Sequence, residues 1–412
     1  MLRPLRLLAG WSIALAVVLL IGLALPPQTT APSGALLAGG AAPSAAASIR
    51  SRAPSDQPGK LPPVVVPPVD GSGSGSGRPV ELAPLSAEQA AALQAATDRA
   101  RVALGLDALS VGVSISGSTG WTGASGLARD GVTPLDGSSP CAIASITKTF
   151  TATLALQLVS EGRLSLREEV AELLPGVAVP AGVKVSHLLR HTSGIADLLV
   201  PLRDRLNADL ERVWRPAEVV ASVGSPWFSP GGAWAYSNTN YLLLGMIIER
   251  ITERPMARML RERLLAPLEL SGTGKLLGNG APFLMSPSWV TAFGASGDMY
   301  TNAHDLLRWG DALYGGQVLG AGGLRHMLAF KRHGYGMGAE RIEVGNETGY
   351  GHSGLLRGFT SLLVHLPELD LTLVVMGTTN YFDPARVLSH REPGLPSILD
   401  LARQAIALVP AA

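Results

Sequence analysis

Ser145 and Lys148 stand three residues apart in Ala144-Ser145-Ile146-Thr147-Lys148-Thr149-Phe150. On a helix that spacing puts both side chains on one face, within reach of each other. A serine hydroxyl is a poor nucleophile at neutral pH and needs a base beside it. Lysine serves as that base only where burial or other cations lower its pKa, and Ala142, Ile143, Ala144 and Phe150 supply a dry setting. At a helix start Ser145 also gains unpaired backbone N–H groups suited to a developing oxyanion. Of the five lysines (Lys60, Lys148, Lys184, Lys275 and Lys331), Lys148 alone has a serine three residues before it. Taken alone, the pair equally fits a capping serine beside a solvated lysine.

Two further clusters carry polar groups of the right kind. Tyr236-Ser237-Asn238 closes the loop Pro230-Gly231-Gly232-Ala233-Trp234-Ala235 and enters an apolar helix from Tyr241 to Ile251. A tyrosinate near an ammonium can accept the serine proton, and Asn238 can hold a substrate amide. A core tyrosine, with Asn238 capping the next helix, is the other reading. His352-Ser353-Gly354 leads into an apolar strand. A cation or donor on an edge strand can bind a carboxylate, and the small Gly354 lets substrate approach. A histidine in a turn is the plainer alternative.

The elements that must position these residues are legible in outline. Ser86 caps a helix running to about Leu104. Ala108 to Gly117 and Gly120 to Gly126 read as a hairpin. A helix from Ser145 or just before it runs to Glu161, stopped by Gly162, with Phe150, Leu154 and Leu158 toward a core. From Leu164 to about Arg308 the chain reads as helix and loop. Strands then return, with Gly358–Leu366 and Leu369–Met376 as an apolar hairpin, and Ser397 to Leu408 as a last helix. Strands at both ends of a helical insertion imply one antiparallel sheet assembled from remote segments.

Ser-x-x-Lys, Tyr-x-Asn and His-x-Gly in this order resemble the class C β-lactamase and D,D-peptidase group of penicillin-recognising serine hydrolases, related esterases included. The flanks are similar too: Leu188-Leu189-Arg190-His191-Thr192-Ser193-Gly194, Phe228-Ser229-Pro230-Gly231, Ala295-Ser296-Gly297-Asp298-Met299 and Gly351-His352-Ser353-Gly354. The resemblance covers Leu85 to the C-terminus. It implies an α/β sandwich with an adjoining all-helical region and the site between them. It makes Ser145 the acylated nucleophile, Lys148 its partner, and Tyr236 the base that later activates water. Asn238 would position substrate, His352 and Gly354 would line the opposite wall, and the N–H groups of Ser145 and Leu355 would form the oxyanion hole. His352 stands where many true β-lactamases and peptidases carry lysine, as in the family's esterase-like and peptidase-like branches. Ala144 replaces a common glycine, which reads as a mild change.

Other chemistries find little support. Net charge is +1, with the Lys and Arg residues scattered, so nucleic acid has no basic face to bind. Gly351-His-Ser353-Gly354-Leu355 misses the Gly-x-Ser-x-Gly elbow at position 355. Gly272-Thr-Gly274-Lys275 has Glu269 where a phosphate loop needs glycine. His187 and His191, four apart, lack a third ligand, so neither a metal nor a cofactor is expected. Trp214, Trp227 and Trp234 read as packing residues, Trp234 being close enough to Tyr236 to touch a ligand. Cys141 is the only cysteine and reads as a small buried hydrophobe.

Three segments are expected. In residues 1–26, Arg3 and Arg6 precede an uncharged apolar run from Leu7 to Leu25, closed by Pro26-Pro27. This reads as an export signal with its basic end retained inside, an uncleaved anchor being favoured over cleavage after Ala24. Residues 27–84, rich in Ala, Pro, Ser and Gly, bury too little to fold and form a tether. Residues 85–412 form the hydrolase domain. The expected protein is an extracytoplasmic, membrane-anchored serine hydrolase working by acyl-enzyme. Its expected substrates are small molecules or peptides, foremost cell-wall peptides ending in D-amino acids, in a D,D-carboxypeptidase-like reaction. An esterase or weak β-lactamase with the same site, and a catalytically silent binder of wall peptides, are the alternatives.

Overall fold

The structure is a computed structural model that describes residues 82–408, apart from 129, 278–281, 283–284, 332 and 380–381. The expected anchor and nearly all of the expected tether lie outside the described residues. Ala83–Pro84 form a short strand, β1, just ahead of the expected boundary. After it come helix α1 (Ala87–Ala103), β2 (Ala108–Ile115) and β3 (Thr119–Gly126). Ser86 caps α1 with its hydroxyl on the Gln89 N–H, and the Gln89 side chain takes the Ser86 N–H in return.

The C-terminal strands are β7 (Glu340–Val344), β8 (Glu347–Leu356), β9 (Phe359–Leu366) and β10 (Leu371–Gly377). With the N-terminal three they make one sheet in the order β1-β3-β2-β10-β9-β8-β7. Every pairing is antiparallel except β1 with β3. β2 meets β10 along its whole length, Ser110 opposite Met376, so the two ends of the domain close on each other.

Side-chain alternation sorts the sheet into two faces. Leu109, Val111, Val113 and Ile115 of β2, with Leu371, Leu373 and Val375 of β10, pack on α1 and the last helix. The opposite face carries helix Ala303–Tyr314, whose Leu307 fits over Gly112, where a Cβ would lie 2.8 Å from Leu307 Cδ1.

Between β3 and β7 the chain is mainly helical. Helix α2 (Thr147–Ser160) is buried nearly all round, as suits a helix with apolar residues on every side. Helix α3 (Asn238–Thr252) packs beside it. The insertion also holds a small sheet that the helical reading overlooked: β4 (Cys141–Ala142) and β5 (Gly274–Lys275) flank β6 (Met299–Thr301). This little sheet runs directly into the turn that carries Ser145.

Candidate active site

Ser145 sits in a 3-10 turn, Ala144–Ile146, that feeds α2. Ala144 has φ +45°, in the left-handed region where a Cβ is penalised by about 1–2 kcal/mol. The alanine is therefore a strained residue immediately before the nucleophile, not a neutral replacement for glycine. Ala144→Gly is expected to raise stability by about 0.5–1 kcal/mol, the relief of strain exceeding the added unfolded-chain entropy. Thermal melting of the two proteins checks this, and a lower melting temperature for the glycine variant would contradict it.

Lys148 lies in the first turn of α2 and is fully buried. Its Nζ is 2.9 Å from Ser145 Oγ, 2.8 Å from Asn238 Oδ1 and 2.8 Å from the Ser296 carbonyl oxygen. Burial pushes its pKa down to about 7, against the pull of Asp197 and Glu340. Asn238 Oδ1 and the Ser296 carbonyl can only accept. In the neutral amine they take its two N–H groups, and the lone pair is left for the Ser145 hydroxyl proton.

Asn238 does not reach toward substrate as expected. Its Oδ1 is spent on Lys148, and its Nδ2 donates to Asp197 Oδ2 at 2.8 Å. Asp197 Oδ2 also accepts the Asn238 backbone N–H at 2.6 Å, and Oδ1 accepts that of Leu199 at 2.8 Å. This buried carboxylate fixes which way the Asn238 amide points, and so which atom faces the lysine.

Tyr236, on the loop into α3, places its hydroxyl 2.9 Å from Ser145 Oγ. Burial first, then the Glu340 carboxylate, holds the phenol well above its ordinary pKa. Tyr236 thus donates to Ser145 Oγ in the resting site, and of the two groups Lys148 is the one whose pKa lies near neutrality. The expected base role of Tyr236 requires that it first give its proton away. His191, at φ +57°, supports the ring from behind at 4.3 Å between centroids, and its Nδ1 accepts the Ser237 N–H.

His352 is not an exposed cation on a wall. It has no exposed surface, and burial drives its pKa down to about 3. Nδ1 donates to the Ser353 carbonyl at 2.6 Å, and Nε2 pairs with the Tyr335 hydroxyl at 3.0 Å. The ring is a neutral support lying behind β8 within the strand, not a turn residue before it.

Gly354 has a different purpose from the one expected. A Cβ there would lie 2.2 Å from the Ile143 carbonyl oxygen and 2.4 Å from Ser361 Oγ. Its space is filled by the turn carrying Ser145, not left for substrate. β7 begins at Glu340, opposite Gly351, so among the described residues β8 runs on from His352 to Leu356 with no strand on that edge. Leu355 is on this stretch and half-buried.

The four expected polar residues Ser145, Lys148, Tyr236 and Asn238 converge, and His352, Gly354 and Leu355 border them. Sequence reading missed Asp197, the Ser296 carbonyl, Tyr335 and Glu340. Asp197 follows closely on the His191-Thr-Ser-Gly stretch and Ser296 lies within a marked stretch, so both had a positional signal; Tyr335 and Glu340 had none. Among the tryptophans, Trp214 is buried with its indole N–H on Ser288 Oγ at 3.0 Å. Trp227 is 45% exposed and is no packing residue. Trp234 is half-buried and stacks on His333. His187 turns away to accept the Lys184 N–H.

A buried lysine beside a serine at a helix start, closed by a tyrosine from the helical region and a strand edge, defines a serine hydrolase of the penicillin-recognising type. The chain matches the family described as Beta-lactamase over residues 93–392 and belongs to it. Penicillin-binding protein 4 of Amycolatopsis lactamdurans is 30% identical over 262 residues, covering 54% of this chain and 68% of that protein. Penicillin-binding protein 4* of Bacillus subtilis (strain 168) is 32% identical over 144 residues, 34% of this chain and 31% of that protein. The chain thus spans only about a third of the latter's length. Among solved structures, a D-stereospecific amidohydrolase from Streptomyces sp. aligns with TM-score 0.63 at 28% identity, over 73% of this chain and 97% of that one. D-amino acid amidase from Ochrobactrum anthropi SV3, complexed with L-phenylalanine, aligns with TM-score 0.65 at 26% identity, over 78% of this chain and 99% of that one.

Proposed function

We propose that the protein hydrolyses amide bonds on the carbonyl side of a D-configured residue, through an acyl-enzyme on Ser145. The carrying observation is that Asn238 Oδ1 and the Ser296 carbonyl take both N–H groups of a neutral Lys148, which leaves its lone pair one direction in which to act, toward Ser145 Oγ. In this reading Lys148 takes the serine proton as Oγ attacks the carbonyl carbon. The Tyr236 hydroxyl gives its proton to the departing amine, and the acyl-enzyme faces a tyrosinate–ammonium pair. The tyrosinate then removes a proton from water, whose oxygen attacks the ester. Lys148 returns its proton to Oγ as that bond breaks, and the site is restored.

Peptide stems ending in D-amino acids, cleaved in D,D-carboxypeptidase fashion, are the proposed natural substrates. The two penicillin-binding relatives support that choice, and the amidase neighbours support the broader D-amide chemistry. The basic residues and apolar run of segment 1–26, followed by the tether of 27–84, support export and attachment at the outer membrane face. A silent binder would have no use for a lysine buried against its serine.

Incubation with a fluorescent penicillin, and with D-phenylalanine p-nitroanilide and its ester, tests the reading. Label and turnover should vanish in Ser145→Ala and rise as pH increases through about 7, where Lys148 loses its proton. Turnover unaffected by Ser145→Ala would refute it, and ester turnover without amide turnover would favour the esterase alternative.

A further inference from the structure

A strand edge offers N–H groups on every second residue. Beyond the pair of Gly351 with Glu340, the first residue of β7, the first such group on β8 is that of Ser353, and it does not face open space. Glu340 Oε2 accepts it at 3.3 Å and accepts the Ser353 hydroxyl at 2.9 Å. Oε1 of the same carboxyl stands 3.6 Å from His352 Nδ1. The next N–H along this edge belongs to Leu355. From the other side, Gly354 is pressed against the Ile143 carbonyl at the turn of Ser145.

We propose that Glu340 is a positioning residue for the reaction at Ser145: its carboxylate replaces the missing strand partner of Ser353 and so holds the Leu355 N–H toward the reacting carbonyl oxygen. This rests on the reading of Ser145 as nucleophile. Glu340 is only 3% exposed, deep for a carboxylate with no bonded cation. Burial pushes its carboxyl up to about 7, against the two Ser353 hydrogen bonds and the pull of Lys148, and both of those bonds go to one residue of the edge. The groups facing it are Lys148 from α2, His352 from β8, Tyr236 from the loop before α3, Tyr335 from the approach to β7, and Tyr314 at the end of helix Ala303–Tyr314. Asp197 acts on the same lysine in the same direction. Of these, Lys148 is the cation whose charge Glu340 favours, so the carboxylate also raises the pH at which the base becomes neutral.

The experiment compares wild type, Glu340→Ala and Glu340→Gln on D-phenylalanine p-nitroanilide across pH, with thermal melting of each. Glu340→Ala should lose about a hundredfold in kcat with KM changed by less than about threefold, as expected when an oxyanion donor is displaced. Glu340→Gln keeps an oxygen for the Ser353 N–H and should retain most of kcat. Its acid limb should move to lower pH, since the negative charge that Glu340 gains as it ionises near 7 no longer holds the proton on Lys148. A purely structural role would not move that limb. The proposal is overturned by an unshifted limb in Glu340→Gln, or by a folded Glu340→Ala with wild-type kcat. If Glu340→Ala fails to fold, the Glu340→Gln profile decides. If wild type shows no Ser145-dependent turnover, the nucleophile reading fails and this proposal falls with it, an outcome distinct from active wild type with an unshifted limb.

Discussion

Lys148→Met should slow acylation of Ser145 by a fluorescent penicillin by about 10²–10⁴-fold, the usual contribution of a positioned general base. Methionine keeps the length of the side chain and its apolar stem, so α2 should remain packed. It removes all donors from Asn238 Oδ1 and the Ser296 carbonyl. Each orphaned buried acceptor costs about 1–3 kcal/mol, partly offset because an amine no longer has to be buried. The predicted variant is folded, somewhat less stable, and unable to deprotonate its serine. Time-resolved labelling with a melting curve separates these effects. Labelling at the wild-type rate would rule out Lys148 as base and leave Tyr236 in that role.

Gly354→Ala should be nearly as damaging, although no functional group is lost. The added Cβ would lie 2.2 Å from one atom of the turn carrying Ser145 and 2.4 Å from a hydroxyl of β9. The Ile143 carbonyl is backbone and cannot rotate aside. Either β8 or the turn must shift, at a cost of about 1–3 kcal/mol or more for overpacking. A displacement of about 1 Å between nucleophile and oxyanion donor costs on the order of 10² in rate. The expected variant has a lowered melting temperature and about a hundredfold lower kcat. An alanine protein with unchanged kcat would show that β8 can yield without moving the site.

These effects also mark where sequence reading succeeded and where it could not. Ser145 and Lys148 were legible because one helical turn sets their separation, and local spacing survives folding. The Ser86 cap, the β2–β3 hairpin and the β9–β10 hairpin were legible for the same reason. The β7–β8 hairpin was not, since Gly349, Gly351 and Gly354 break the apolar alternation of β8. Asn238 was found, but its task was hidden, because Asp197 reaches it from a distant loop. His352 was found with its charge state open, since burial is a property of the assembled sheet. Glu340 gave no signal, as nothing in its neighbours announces that a strand begins there.

The pairing of Ser110 with Met376 has a consequence for how the enzyme comes into being. The centre of the sheet joins the first long strand of the domain to the last, so most of the chain must exist before the middle can close. Long-range closure of this kind slows folding and leaves apolar strands uncovered meanwhile. β8 and β9, which brace the turn of Ser145, are threaded in the same late stretch. During synthesis the serine and lysine are thus adjacent on their helix long before the wall opposite them is built. A chain stopped short of β8 would carry its nucleophile with nothing to stabilise the charge that nucleophile creates, and would emerge inert.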